Sequence, residues 1–425
     1  MIKRRVLLLG LIAVTVGATG CLNTRSKRFD QRDRIGVRGD IDPSRPALDE
    51  KRLGEFGMEL YWDSYIENEI LTTVTMQGRH IYVWTASNRL YQIDVENGRV
   101  NWMFDVGLPL DHADSENPIA TWVYTPAKRK DLGRYDEVFL VARDNLIAID
   151  LVNGSELWRK RLPFATSSPP VASLTHVYVG AWNNRLYAVN KDSQEIEWDF
   201  VTDGDITARP AGGEDSVYVP SHDQNVYRVD GVKPEKIWPF ATRRAVTADP
   251  YLNERANLLY IGSADYSLYV VNTLDGRLEW KHETGGEILR QPAAVSKYVY
   301  AVSRVQTFSN NEIKFTPTVY AYERKGRVFS KTQHEVLWNR PGANQFLAMG
   351  LDDVYVRERE GESNKLVRLD IKKGFFRDAF VLGSGDFFCT NTFSPRIQGD
   401  KFIASVVVVG HRNGWIFALK EDIQR

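Results

Sequence analysis

VYVGAWNNRLYAVNKDSQEIEWDFVTDG (residues 177–204) and LYIGSADYSLYVVNTLDGRLEWKHETGG (259–286) are two copies of one pattern. Each opens on an apolar strand, passes a polar turn into an alternating strand, and crosses a tight Asp/Asn/Gly turn into a strand that carries tryptophan. The alternation has period two and the turns use residues that accept left-handed backbone, so the unit reads as a β-meander. IYVWTASNRLYQIDVENGRVNWMFDVG (81–107), VFLVARDNLIAIDLVNGSELWRKRLP (138–163) and the degenerate VYVPSHDQNVYRVDGVKPEKIWPF (217–240) repeat it, with no sustained helical periodicity. Tryptophans 62, 102, 158, 198, 238, 280 and 338 recur at intervals of 40, 56, 40, 40, 42 and 58 residues. A period near 40 is one four-stranded antiparallel sheet with its turns, the blade of a β-propeller. A large flat side chain on the outer strand of each blade fills the gap between neighbouring twisted sheets, burying roughly 200 Å². This predicts that Trp62, Trp102, Trp158, Trp198, Trp238, Trp280 and Trp338 are blade-packing residues. In a further copy, 354–380, Phe376 or Phe380 stands where tryptophan is expected.

The two ends fix the blade count. The strand-turn-strand unit begins near 81, 138, 177, 217, 259, 299, 354 and 406, and the last copy, VVVVGHRNGWIFALK (406–420), stops before its tryptophan strand. MELYWDSYI (58–66) is a tryptophan strand with nothing before it. Joining them completes one blade from both termini and leaves no open sheet edge. The expectation is an all-β, eight-bladed propeller over 56–425, closed by a shared blade.

Composition narrows the function. Lys+Arg and Asp+Glu number 55 each, so formal net charge is zero. That argues against nucleic acid as the main partner. Only Cys21 and Cys389 are present, which excludes a disulfide scaffold, a cysteine-based zinc site and an iron–sulfur cluster. Residues 1–20 read as a secretory signal: Lys3, Arg4 and Arg5 precede a short apolar run from Val6 to Val16. Ala18-Thr19-Gly20-Cys21 then resembles a bacterial lipobox, in which cysteine takes lipid and becomes the new N-terminus. Each buried CH₂ of such chains contributes ~0.8 kcal/mol, so two or three chains anchor a folded body. Residues 21–55, charged and without periodicity, are expected to form a flexible tether.

The repeated motif x-VYVG-x₄-LYALD-x₂-TG-x₂-W resembles the pyrroloquinoline-quinone-like (PQQ-like) repeat family over residues 56–425. The layout of lipobox, tether, leading tryptophan strand and eight repeats is similar to the BamB-type propeller lipoproteins of the outer-membrane β-barrel assembly machinery. That resemblance implies a lipid-anchored, non-enzymatic scaffold on the periplasmic side of the outer membrane, with envelope proteins as partners. BamB-type chains carry an acidic loop and Thr-Thr-Pro before a central blade, whereas this chain has Arg243-Arg244-Ala245-Val246-Thr247-Ala248-Asp249-Pro250. The same repeat family includes quinone-dependent dehydrogenases, which hold the quinone and a calcium ion on the propeller axis. A PQQ-dependent oxidoreductase or a sugar-binding propeller is therefore the alternative reading. No calcium or catalytic motif of those enzymes can be placed here residue by residue, and no histidine pair has metal-binding spacing. No catalytic residue, metal ligand or cofactor is expected.

Three insertions break the repeat: LPLDHADSENP (108–118), SRVQTFSNNEIKFTP (303–317) and REREGESN (357–364). The loop leading into a blade and the loop joining its second and third strands emerge on one face. All three insertions should therefore project from that face, where repeat folds carry function. Asp111, His112, Phe308, Asn310, Asn311, Arg357, Glu358 and Arg359 are the candidate partner-binding residues.

Overall fold

The computed structural model describes residues 44–422, apart from 129–132, 134, 310–311, 325–327, 331–332, 384, 393–395, 399–400 and 404. In blade 1, Leu71–Gln77 lies innermost, followed outward by His80–Thr85, Arg89–Asp94 and Val100–Asp105. Blades 2 to 7 repeat this order, with second strands starting at Glu137, His176, Ser216, Leu258, Tyr298 and Asp353. In blade 6 two short segments, Gly286–Ile288 and Ala293–Val295, share the innermost position. Blade 8 takes Phe387–Phe388, Val406–Gly410 and Trp415–Glu421 from the C-terminal end, while Met58–Tyr65 supplies its outermost strand. Pairing runs from Met58 opposite Glu421 to Tyr65 opposite Trp415. The eight-bladed ring and its shared blade are as the repeats predict.

The core is divided into eight apolar clusters, each between two neighbouring blades. Second strands are covered on both faces, so Glu137–Ala142 (EVFLVA) is buried throughout and reads as one apolar run. The tryptophans stand on outermost strands at these boundaries. Trp102 is fully buried, its Nε1 donates to the Leu151 carbonyl of the next blade at 2.9 Å, and its ring lies on Gly154. Gly154 has φ +72, and a Cβ there would stand 2.5 Å from the ring, so only glycine fits. Trp62 on Gly98, Trp238 on Gly276 and Trp338 on Gly374 repeat the arrangement, donating to Val95, Thr273 and Ile371. Trp158, Trp198 and Trp280 occupy the same register position, opposite Ala148, Ala188 and Val270. Against Trp280 the neighbour is His334, stacked at 4.0 Å.

Blade 7 departs from the rule, and the departure corrects the tether. The tryptophan register position there, opposite Arg368, holds Asp378; Phe380 is buried and Phe376 exposed. The space is filled from the N-terminal side by a short helix, Glu50–Phe56, within the stretch expected to be flexible. Asp49 caps it through the Arg52 N–H, and Gly57 ends it in left-handed backbone. Leu53 and Phe56 are fully buried, with the Phe56 ring 6.0 Å from Phe380 and 6.2 Å from Tyr355. Arg52 grips Asp378 bidentately at 2.6 and 2.9 Å, which holds that carboxyl below its usual range. Upstream, Ser44 and Arg45 already touch the ring: Asn413 donates to the Ser44 carbonyl, and Arg45 lies over Trp415 and Phe417. Cys21 and residues 1–43 lie outside the described residues.

Candidate functional site

The innermost strands of all eight blades face one axial cavity. Residues that precede a proline at the start of these strands meet there: Asn117, Arg209, Asp249 and Gln291. Proline holds its predecessor in extended backbone, so each blade delivers this residue alike. Arg209 Nε donates to the Pro170 carbonyl at 3.0 Å and its backbone N–H donates to Asp249 Oδ1 at 2.9 Å. Gln291 donates to the Pro250 carbonyl at 3.1 Å. Burial pushes the Asp249 carboxyl up to about 6 against the opposing pull of the Arg209 N–H and guanidinium.

The first insertion does not project. Asp111 accepts the Arg143 and Asp144 N–H groups, tying the loop to the second-to-third-strand turn of blade 2. His112 Nε2 meets Thr166 Oγ1 at 3.0 Å, and burial lowers its pKa. From there the chain turns inward along blade 1, where Thr73 and Thr75 donate to the Ala113 and Glu116 carbonyls and Gln77 donates to Asn117. Glu116 ion-pairs with Arg290, and Asn117 donates to Gln291 at 3.3 Å; both partners belong to blade 6, on the far side of the ring. The loop is thus a crossbar through the axis, and a cavity of about 570 Å³ remains beside it.

The second insertion does the opposite. Tyr298–Ser309 and Glu312–Glu323 pair from Tyr298↔Glu323 to Ser309↔Glu312, making a hairpin twice the length of its neighbours. The flanking strands stop pairing at Val305 and Thr318, so the outer part is a two-stranded ribbon among the described residues. Phe308 and Phe315, with Ile313, share one face of it and are 72%, 51% and 54% exposed. Arg304, paired with Glu287 at 2.7 Å, lies 4.9 Å from the Phe315 ring at the base of this face. Asn310 and Asn311 at the tip lie outside the described residues.

The third insertion is a longer strand pair in blade 7, Asp353–Glu360 with Ser363–Asp370. Glu358 accepts from Arg340 at 2.6 Å, and Arg359 folds onto the Gly361 carbonyl at the turn. Arg357 lines the axial cavity. The structure therefore separates the candidate residues into Arg357, which faces the axis, Asp111, His112 and Glu358, which are bonded to neighbouring parts of the ring, Arg359 at its turn, and Phe308, which points outward on the ribbon.

Sequence reasoning missed the crossbar and the pre-proline residues. The signal was available: a polar residue before proline recurs at 117, 209, 249 and 291, and Thr73, Thr75 and Gln77 alternate along one strand. Cys389 is buried beside the Val74 carbonyl, and burial pushes its thiol up to about 12, which makes it inert. Among the described residues no three His, Cys, Asp or Glu side chains converge to hold a metal ion.

A family model described as "Outer membrane protein assembly factor BamB" matches residues 142–377 and 235–422. No curated relative matches the chain. The fold is similar to the crystal structure of BamB from Moraxella catarrhalis, with TM-score 0.55 and 13% identity over 87% of this chain and 99% of that one. It is also similar to the computationally designed Ika8 protein, with TM-score 0.52 and 14% identity over 84% and 98% of the two chains. Quinohemoprotein alcohol dehydrogenase ADHIIG from Pseudomonas putida HK5 gives TM-score 0.57 and 11% identity over 87% and 77%. These likenesses show the propeller fold.

Proposed function

The chain belongs to the family described as outer membrane protein assembly factor BamB, and on that premise we propose that it is a non-enzymatic, protein-binding scaffold of the bacterial envelope. In this reading Cys21 carries lipid, the ring sits on the periplasmic side of the outer membrane, and its partners belong to the β-barrel assembly machinery. The observation that carries the proposal is the projecting ribbon. Phe308, Ile313 and Phe315 expose a contiguous apolar face on a regularly paired hairpin, a surface suited to another polypeptide. The experiment is co-purification of the β-barrel assembly machinery with the lipidated protein from detergent-solubilised outer membranes. Shortening 304–317 to a four-residue turn should abolish recovery of those subunits while leaving circular dichroism native; undiminished recovery rejects the proposal.

The quinone reading fares worse at the axis, where that cofactor and its calcium ion would sit. Glu116 and Asn117 cross that position and are bound on its far side by Arg290 and Gln291. Among the described residues, those left around the cavity offer no cluster of acidic ligands for the ion. They do not fit the group. Incubation with PQQ and calcium tests this separately: a bound quinone absorbance band with alcohol or sugar oxidation would overturn the non-enzymatic reading.

A further inference from the structure

We propose that the axial cavity binds a small organic anion, whose carboxylate is taken by the Arg357 guanidinium. Arg357 projects from the second strand of blade 7, in register with Gln345 of the innermost strand. It is held on two sides. Its Nε donates to Asn364 Oδ1 at 2.8 Å, and Asn364, itself 3% exposed, is fixed in turn by donating to the Gly385 carbonyl at 2.7 Å. Its guanidinium lies 4.2 Å from the centre of the Phe388 ring, a stacking that orients the plane of the fork. Both terminal nitrogens then have no protein acceptor among the described residues.

The other charges around the cavity are spoken for. Arg290 is paired with Glu116, and Arg209 acts on Asp249. Asp386 accepts the Arg412 N–H at 2.8 Å and pairs with its guanidinium at 3.6 Å. Asp114, the remaining acid of the lining, is on the crossbar loop and is not among the groups that act on Arg357, which are Arg290 and Arg359. Arg357 thus faces the cavity as an oriented cation with no carboxylate of its own among the described residues. Burial, with Arg290 and Arg359 nearby, pulls its pKa down to about 10, so the ring itself does not neutralise it. A guanidinium stays charged at neutral pH, and leaving it half-desolvated without an anion is unfavourable. At about 570 Å³ the cavity is within the range that holds a small organic molecule, and its lining is rich in Thr, Gln, Asn and Arg. A carboxylate matches the two-pronged fork, and further polar groups of the same molecule would meet Gln345, Gln291 and Thr390 on the wall.

The site is independent of the ribbon, so its failure and that of the scaffold reading are distinguishable. The test is calorimetric titration of the full-length protein in detergent at low salt with citrate, inorganic phosphate and an acidic hexaglutamate peptide. Citrate should bind saturably with Kd below about 1 mM. Arg357→Gln should weaken it at least about tenfold, while Arg359→Gln, altering the neighbouring turn, changes it little. If Arg357→Gln loses its native near-ultraviolet dichroism, Arg357→Lys takes its place. It keeps the charge but not the fork and should still weaken binding several-fold, roughly the loss of one of two paired bonds. No saturable citrate binding, or binding that the Arg357 variant retains in full, overturns the proposal. Binding of phosphate alone overturns the carboxylate assignment, and binding of the peptide alone overturns the small-anion assignment.

Discussion

The loop at 108–118 and the hairpin at 303–317 leave the same face of the ring and end in opposite environments. One turns in, and its backbone carbonyls and side chains are bonded by Thr73, Thr75, Gln77, Arg290 and Gln291. The other runs out as a regular ribbon and leaves Phe308, Ile313 and Phe315 in water. Composition decides between these fates. DHADSEN has no strand alternation, and once drawn into the axis its polar groups need partners, which Thr73, Thr75, Gln77, Arg290 and Gln291 supply. VQTFSNNEIKF has the alternation of a strand pair and needs no wall to close its hydrogen bonds. An insertion is therefore a structural part or an interaction part according to what its side chains ask for, although both look alike as gaps in a repeat.

The largest expected effect lies at the crossbar. Replacing 111–117 by a glycine-serine linker of equal length removes its hydrogen bonds to the walls and the Glu116–Arg290 pair, and leaves Thr73, Thr75 and Arg290 facing the cavity unpaired. At about 0.5–1.5 kcal/mol net per bond, less the ordering entropy regained, the loss should be about 3 kcal/mol, read by urea unfolding. Equal stability of the linker variant would make the crossbar as dispensable as the hairpin and erase the contrast.

A smaller effect should follow from Asp249, which touches the crossbar from the ring side. Its carboxyl faces Arg209, Asn117 and Glu116 and is raised to about 6 by burial. An acid whose pKa rises on folding from about 3.9 takes up a proton as the chain folds between these values. Its contribution favours the fold at low pH and is lost as pH climbs through about 6. The substitution Asp249→Asn supplies an amide oxygen that accepts the Arg209 N–H without titrating. The variant should therefore gain on the parent protein from pH 4 to 6, by on the order of 1–2 kcal/mol, and run parallel above. Unfolding curves at pH 4, 5, 6 and 7 check the slope; a constant difference would place Asp249 in contact with water.

The ring was legible because its signals recur. Tryptophan, tight turn and apolar second strand appear in most blades, so a single faulty copy does not hide the period. The helix Glu50–Phe56 was missed because it appears once and is short, although Asp49, Leu53, Phe56 and Gly57 carry its cap, its buried face and its stop. It exists to fill the place where blade 7 has Asp378 in the tryptophan position, a tertiary need that the local sequence does not announce. The axis was missed for a related reason. Arg290 and Glu116 are 174 positions apart, and only the closed ring brings them together. From the sequence Arg357 reads as one more partner-binding residue of the insertion 357–364, since nothing in REREGESN distinguishes the arginine that turns inward from the one that stays at the rim.

The smallest expected change in stability belongs to the hairpin, and there smallness is the point. Phe308 and Phe315 are half or more exposed, so little buried area is at stake in either. Phe308→Ser with Ile313→Ser should alter stability by no more than about 0.5 kcal/mol, the usual range for surface substitutions. Cross-strand pairing from Tyr298↔Glu323 to Val305↔Thr316 lies nearer the ring than either residue and should persist. If the apolar face is where a partner docks, the same two substitutions remove the anchor side chains from the contact. Such anchors carry about 2 kcal/mol or more each at the centre of an interface. Recovery of the assembly-machinery subunits should then fall by well over tenfold, against a stability change close to the error of the measurement. Phe315→Ser is a finer probe, because Arg304 stacks on that ring and would lose its support. It should weaken recovery and, alone of the three, slightly loosen the base of the ribbon, visible as faster amide exchange at Val305 and Thr316. A fall in stability matching the fall in recovery would show that the ribbon is part of the ring's structure, and the inward and outward insertions would then differ only in direction.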